Sequence, residues 1–315
     1  MNPSPVWAFK MEQLQHLPAL FSEVLEYLDC QADKVYVDGT VGSGGHSRGI
    51  LDKSSPTGKL IGLDWDEEAL ERARKNLSSF GGRVELIKAN FKDLRSVLDS
   101  LSIPGVDGIL LDLGVSTEQL ESRDRGFSFR WEAPLDMRMS QETSITAQDL
   151  LQNLSSEEIG TLLQEYGEER WAHRIATNIV RQRQRAPIGT TGELVAVIEK
   201  SVPPQHRRIH PATRTFQALR ISVNEELSNL RIFLSQCPEL LNPGGRLGII
   251  SYHSLEDRIV KNHFRQWIQK REEKDRGFRV LTRKPVVPSP GEVAQNPRAR
   301  SAKMRVVEKL AENRF

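Results

Sequence analysis

Asp38-Gly39-Thr40-Val41-Gly42-Ser43-Gly44-Gly45-His46 follows a strand-like segment, Lys34-Val35-Tyr36-Val37, and precedes a second, Lys59-Leu60-Ile61-Gly62-Leu63, that ends on Asp64. Glycines in a turn after a first strand let backbone N–H groups approach a ligand closely, because no Cβ intervenes. An acid about 20 residues further on, here Asp64, can take both hydroxyls of a ribose. The layout predicts a nucleoside ligand.

Outward from this stretch the pattern alternates. Gly44 to Leu51 opens a helix, and Asp66 to Ser78 reads as another, with Ala69, Leu70, Ala73 and Leu77 at helical spacing. Arg83 to Ile87 is a third strand and Leu94 to Leu101 a third helix. Val106 to Leu111 is a fourth strand, ending in Asp112-Leu113-Gly114-Val115-Ser116. Strands alternating with helices predict a parallel sheet covered on both faces. Residues 12–28 read as an amphipathic helix before the first strand. From about Ser140 to Thr213 the pattern is helical only, with cap signals at Ser155-Ser156 before Glu158 and at Thr190-Thr191 before Glu193. Thr215 to Leu241 reads as one long helix and Asn242-Pro243-Gly244-Gly245 as a tight turn. Arg246 to Ser251 is a fifth strand, and a helix follows from Leu255 to Arg271. Arg279–Arg283 and Lys303–Lys309 are two further strands, and Val286 to Arg300 reads as a loop. The expected organisation is one discontinuous α/β domain, residues 1–139 and 215–315, with an all-helical insert at 140–214.

The chain has 315 residues, 38% of them hydrophobic, enough for two domains and a sizeable core. Cys30 and Cys237 form no metal or redox spacing and read as buried thiols of a reducing compartment. The N-terminal stretch lacks a signal-peptide pattern, and no apolar run reaches membrane-spanning length, so a cytoplasmic location is expected. The net charge of +2 hides an asymmetry: residues 1–169 carry −13 and residues 170–315 carry +15. A basic half suits a polyanionic partner, although solvated helix faces alone would produce the same count.

Two ligand classes fit the glycine turn. A dehydrogenase prefers Gly-x-Gly-x-x-Gly, and the third glycine is missing here. Asp38, at the end of the first strand, would repel a pyrophosphate and favour a cation. S-adenosylmethionine carries a sulfonium and an ammonium, and its ribose suits Asp64. With Asp38, Asp64, Asp112 and the Pro243-Gly244-Gly245 turn in order, a methyltransferase is favoured over a nicotinamide-dependent oxidoreductase.

The match extends further. Asp38 to Ser47, Leu110 to Ser116, Arg125-Gly126-Phe127-Ser128-Phe129, Leu135-Asp136-Met137-Arg138-Met139, Tyr166 to Arg170, His210 to Ala218, Ser251 to Arg258 and Asn296 to Ser301 resemble, in order and nearly end to end, the bacterial RsmH family, also called MraW. The resemblance implies a class I (Rossmann-like) S-adenosylmethionine-dependent methyltransferase sheet carrying the helical insert. It implies methylation of N4 of a cytidine in the decoding region of 16S ribosomal RNA, cytosine 1402, within an assembled small subunit. A homodimer is the oligomeric form allowed for. It further implies cofactor contacts at Gly44, Gly45, His46, Asp64, Phe91, Asp112 and Gln119. The residues themselves add Asp38 and Gly42, and they account for most of the implied contacts, namely Gly44, Gly45, Asp64, Phe91 and Asp112; Gln119 by itself reads as an exposed loop residue.

Many amine methyltransferases carry an Asp/Asn/Ser-Pro-Pro-aromatic run after the fourth strand, whereas this chain has Asp112 to Ser116. Asp112 and Ser116 are therefore the catalytic candidates, with His253 after the fifth strand a third. Ser254-Leu255-Glu256-Asp257 reads first as a capping box in which Ser254 and Asp257 exchange backbone bonds. Phe127, Phe129 and Trp131, in an arginine-rich stretch, are candidates to stack a base, against the commoner fate of aromatics as core. Residues 170–220 carry a net +8 and residues 258–305 a net +10. Arg174, Arg181, Arg185, Arg207, Arg208, Arg214, Arg298 and Arg300 are the candidate phosphate contacts. His206, His210 and His253 lack metal spacing, so no metal is expected. The alternative from another class is a non-catalytic RNA-binding protein that kept a Rossmann-like fold.

Overall fold

The computed structural model describes residues 18–203, 209–269 and 277–311. Its strands are β1 (Val35–Asp38), β2 (Lys59–Asp64), β3 (Val84–Lys88), β4 (Val106–Asp112), β5 (Leu241–Ser251), β6 (Phe278–Val280) and β7 (Lys303–Lys309). They form one sheet in the order β3-β2-β1-β4-β5-β7-β6. β1 to β5 run parallel, and β7 is inserted antiparallel between β5 and β6. The order reverses between β1 and β4, and in open α/β sheets ligands bind beyond the carboxyl ends of the strands at such a reversal. The last residues of β1, β2 and β4 are Asp38, Asp64 and Asp112. This is the doubly wound α/β sheet expected of the class I methyltransferase fold.

The central strands read as near-continuous apolar runs because helices cover both faces. Val37, Ile109, Leu110 and Leu63 have no exposed surface. The covering helices include α1 (Phe21–Leu28), α2 (Gly45–Lys53), α3 (Glu67–Leu77) and α4 (Leu94–Ser100). α3 starts where the Asp66 carboxylate accepts the Glu68 N–H at 3.1 Å. It buries Ala69, Leu70, Ala73 and Leu77, as their spacing predicts. Each of those leucines contributes roughly 1.5–3 kcal/mol by leaving water.

The chain divides into two compact units: a sheet unit, residues 1–114 and 229–315, and a helical unit, residues 115–228. Those divisions fall earlier and later than the expected 139/140 and 214/215. The cause is packing: Phe127, Leu135 and Met137 on one side, and Phe216, Leu219 and Val223 on the other, belong to the helical unit's own core. That unit contains α5 (Thr117–Glu121), α6 (Ala147–Asn153), α7 (Ser156–Gly167), α8 (Ala172–Arg183), α9 (Thr191–Ser201) and α10 (Ala212–Val223). Capping boxes start α5, α6, α7 and α9, the last two where Ser155 and Thr190 signalled them.

Three sequence expectations need correction. The long helix is two, α10 and α11 (Glu226–Leu240), separated by Glu225 at φ +50°. The side chain of buried Asn224 ends α10 by accepting the Met139 N–H (2.7 Å) and donating to Met137 O (2.8 Å), tertiary bonds that no local pattern announces. Asn242–Gly245 is not a turn ahead of the strand but a bulge within β5: Leu241 pairs with Val106 and Arg246 with Gly108, so four residues loop out opposite one. The stretch 286–300 contains a capped helix, α13 (Pro290–Gln295), and a 3-10 turn at Pro297–Ser301. Ser289 and Pro290 are a cap followed by an N1 proline. α12 (Ser254–Gln269) lies between β5 and β6. Among the described residues, no helix is long and apolar enough to cross a membrane.

Candidate functional site

The glycine loop is tied down by the acids that flank it. Gly42 donates to Asp64 Oδ2 (2.8 Å) and Asp66 donates to Asp64 Oδ1 (2.9 Å), so Asp64 fastens the loop to the end of β2. Burial pushes the Asp64 carboxyl up to about 6; the two N–H donors oppose this, and the charges of Asp66 and Asp38 add to it. Gly44 at φ +88° turns the chain into α2, a conformation that costs a residue with a Cβ about 1–2 kcal/mol. A Cβ there would also press to 3.1 Å from Leu77. Gly45 follows as the first residue of α2, with Pro18 against its Cα.

Asp38 is 1% exposed, and both its oxygens are engaged within the chain: Ser47 Oγ donates at 2.6 Å and the Thr40 N–H at 3.2 Å. Burial raises its pKa, the Ser47 hydroxyl and nearby His46 opposing. The Asp112 N–H donates to Thr40 Oγ1 at 2.7 Å, which fixes the end of β4 to the loop after β1.

Asp112 has one oxygen spoken for. Tyr252 Oη donates to Asp112 Oδ1 at 2.8 Å, and the other oxygen lies 3.6 Å from His46 Nε2. Burial, then the Asp112 charge, raises the Tyr252 phenol well above its ordinary value, so it remains a donor. His46 is 6% exposed, its ring stacked on Phe21 at 6.1 Å. Neither ring nitrogen has a hydrogen-bond partner among the described residues. A buried imidazole left so is costly unless a ligand completes it. Phe91 opens a single 3-10 turn after β3, half-buried and edge-on to Phe233 (5.9 Å, 90°). Asn90 holds that turn by accepting the Lys92 N–H at 3.1 Å. Gly42, Gly44, Gly45, His46, Asp64, Phe91 and Asp112 thus lie at the carboxyl ends of β1 to β4 and in the loops that leave them. Tyr252 is a further participant. Its signal was positional: β5 is the neighbour of β4, so the residue after β5 meets the last residue of β4.

His253 caps α12. Its Nδ1 faces the Glu256 N–H at 3.4 Å, and its Nε2 lies 3.2 Å from Glu256 Oε1. The expected exchange between Ser254 and Asp257 is not the one found. Glu256 reaches back to accept the N–H groups of Tyr252 (2.8 Å) and His253 (3.3 Å), while Asp257 binds Arg305 in a fork at 2.7 and 3.2 Å. The guanidinium offers Asp257 two charged donors, more than a backbone cap can.

In the helical unit, Ser116 and Gln119 form the capping box of α5: Ser116 Oγ accepts the Gln119 N–H (3.1 Å) and Gln119 Oε1 accepts the Ser116 N–H (2.9 Å). Gln119 is buried rather than exposed, and Ser-x-x-Gln was a legible capping signal. Phe127 is 6% exposed in the helical core, which accounts for it as packing. Phe129 is half-buried, stacked on His210 at 4.7 Å and edge-on to Phe216 at 5.1 Å. Arg174, Arg181 and Arg185 are exposed on and just after α8. Arg214 is exposed, with Nη1 on Glu168 O at 2.9 Å. In the sheet unit Arg300 is exposed and Arg298 partly so. Arg207 and Arg208 lie outside the described residues.

Comparison with known proteins agrees with this architecture. The model of the MraW methylase family matches residues 13–310. A ribosomal RNA small subunit methyltransferase H of Geobacter sulfurreducens is 51% identical over 307 residues, spanning 94% of this chain and 99% of that protein. The proteins of the same name from Syntrophotalea carbinolica and Heliobacterium modesticaldum are 50% and 48% identical, over 95% and 94% of this chain. A sheet ending in three acids, a glycine loop fastened to one of them, and similarity from end to end lead to one conclusion: the chain belongs to the MraW methylase family.

Proposed function

We propose that the chain transfers a methyl group to N4 of a cytidine in 16S ribosomal RNA, cytosine 1402, in the small ribosomal subunit. The observation that carries the reading is the Asp112 carboxylate at the end of β4, with Tyr252 on one oxygen and unpartnered His46 beside the other. The relatives' name, which specifies small-subunit ribosomal RNA, supports the substrate class.

The cofactor of the family is S-adenosylmethionine, which supplies a methyl group made electrophilic by its sulfonium. The residues present fit it. Asp64 has lone pairs left for ribose hydroxyls after accepting two backbone N–H groups. Phe91 offers a ring to adenine, and Gly44 and Gly45 present backbone without Cβ atoms. Buried Asp38 supplies a negative field suited to a cation.

The N4 amine is a weak nucleophile because its lone pair is conjugated with the ring. The protein's main task is alignment, which can supply several kcal/mol of the barrier reduction. Asp112 accepts a hydrogen bond from the amine and favours its pyramidal form. Tyr252 fixes the rotation of that carboxylate by occupying Oδ1. The target base must leave any stack, at a cost of a few kcal/mol, and exposed arginines such as Arg174, Arg181 and Arg185 would offset this by neutralising phosphates.

The test is tritium transfer from S-adenosylmethionine to small subunits lacking the modification, followed by nucleoside mass analysis. The wild type yields N4-methylcytidine, and Asp112→Ala abolishes transfer while its melting curve is retained. Full turnover by that variant would remove Asp112 from the mechanism. Cofactor binding without any transfer would favour the non-catalytic RNA-binding alternative.

A further inference from the structure

The aromatic side chain offered to solvent in the arginine-rich segment 123–131 is neither Phe127 nor Phe129 but Trp131, 37% exposed. The Arg123 guanidinium lies 5.2 Å from the centre of the indole ring. Arg125, by contrast, is turned to Phe127 at 5.5 Å and donates to the carbonyls of Arg138 (2.9 Å) and Met139 (2.7 Å), so it is consumed in holding the loop.

Trp131 is presented on a fixed backbone. Its carbonyl accepts from Thr191 Oγ1 at 2.7 Å, and the same hydroxyl accepts the Ala133 N–H at 3.1 Å. Thr191 returns its own N–H to Ala133 O at 3.0 Å, and Pro134 bridges Thr190. One buried threonine at the start of α9 thus fastens the backbone from the Trp131 carbonyl to Ala133. The neighbouring acid, Glu132, lies against Gly192 in the first turn of α9, where the helix dipole offsets its charge. Asp124 and Arg130 are exposed in the same segment.

An exposed indole with a guanidinium on its face is chemistry that recognises an unpaired nucleobase: stacking for the base, positive charge for its phosphate. We propose that Trp131 and Arg123 form a stacking platform for an unpaired base of the bound RNA strand. This inference rests on the reading of the protein as an RNA methyltransferase.

The experiment measures tritium transfer to small subunits lacking the modification, in full-length wild type and in Trp131→Ala, Trp131→Phe and Arg123→Gln. Loss of one stacked base should raise KM for the subunit about tenfold in Trp131→Ala, with kcat retained. Trp131→Phe, which keeps a ring, should stay within about threefold of wild type, and Arg123→Gln should fall between the two. Calorimetric titration with S-adenosylhomocysteine should be the same in all four proteins, since neither side chain is among the residues assigned to the cofactor. Titration with a short oligocytidylate should quench indole fluorescence in the wild type and less in Trp131→Phe. A KM for Trp131→Ala within twofold of wild type overturns the platform and leaves the proposed function standing. A wild type inactive on the subunits overturns the function itself, a separate outcome.

Discussion

Acidifying the solution from about pH 7.5 to about pH 5 should weaken binding of S-adenosylhomocysteine about tenfold, and Asp64→Ala should abolish that dependence. The carboxyl of Asp64 has been moved by burial from the ordinary 3.8 to about 6. If only the ionised form takes the ribose hydroxyls, about one molecule in eleven is competent at pH 5. The apparent affinity then falls by about 1.4 kcal/mol for each pH unit below 6. S-adenosylhomocysteine is the suitable probe, because it lacks the sulfonium and so isolates the ribose contact from the attraction of a cation. The same shift has a sign for folding. Because the folded-state value lies above the ordinary one, the ligand-free protein is favoured below pH 4. It loses that advantage, in all roughly 3 kcal/mol, as the pH rises through 6. Melting temperatures of the ligand-free protein should therefore drop across that window, and the drop should be smaller in Asp64→Ala. Calorimetric titrations at half-unit intervals decide the matter. A dissociation constant that stays flat to pH 5, or an inflection that persists in Asp64→Ala, would refute the assignment.

Two further outcomes follow from the geometry. Asn224→Ala deprives Met139 N–H and Met137 O of their partners in a buried place, and should cost about 2–4 kcal/mol, read as a lowered melting transition. His253→Asn keeps a good N-cap on α12 while removing the imidazole. If capping is what His253 does, methyl transfer should stay within about threefold of wild type, whereas a hundredfold loss would restore it as a proton carrier.

The sheet was legible because its signals are local: apolar runs, a glycine loop and acids at strand ends place Asp38, Asp64 and Asp112 without reference to anything distant. What escaped was set by contacts far apart in the chain. Asn224 breaks a helix that periodicity joined, because Met137 and Met139 draw its amide away. Asp257 looked like a capping acid until Arg305, 48 positions on, claimed it. Tyr252 could not be assigned from composition, since its hydroxyl matters only after β5 has paired with β4. The opposite failure occurred at Gln119, where a local signal was present and unused. Aromatic residues showed the limit most clearly: Phe127 packs in the helical core while Trp131, four positions on, is exposed.

Because β4 and β5 pair side by side although Leu241 comes 129 positions after Asp112, the sheet stays unfinished while the helical unit is translated. At roughly 5–20 residues per second, a nascent chain would wait about 6–26 s between emergence of the two strands. Throughout that interval the open rim of β4, with Ile109, Leu110 and Leu111, has no neighbour and is a site for pairing with another chain. The helical unit, whose residues are contiguous, can fold during the delay. Slowed elongation or a shortage of chaperones should therefore show up as aggregation of the half-made sheet rather than as damage to the inserted helices.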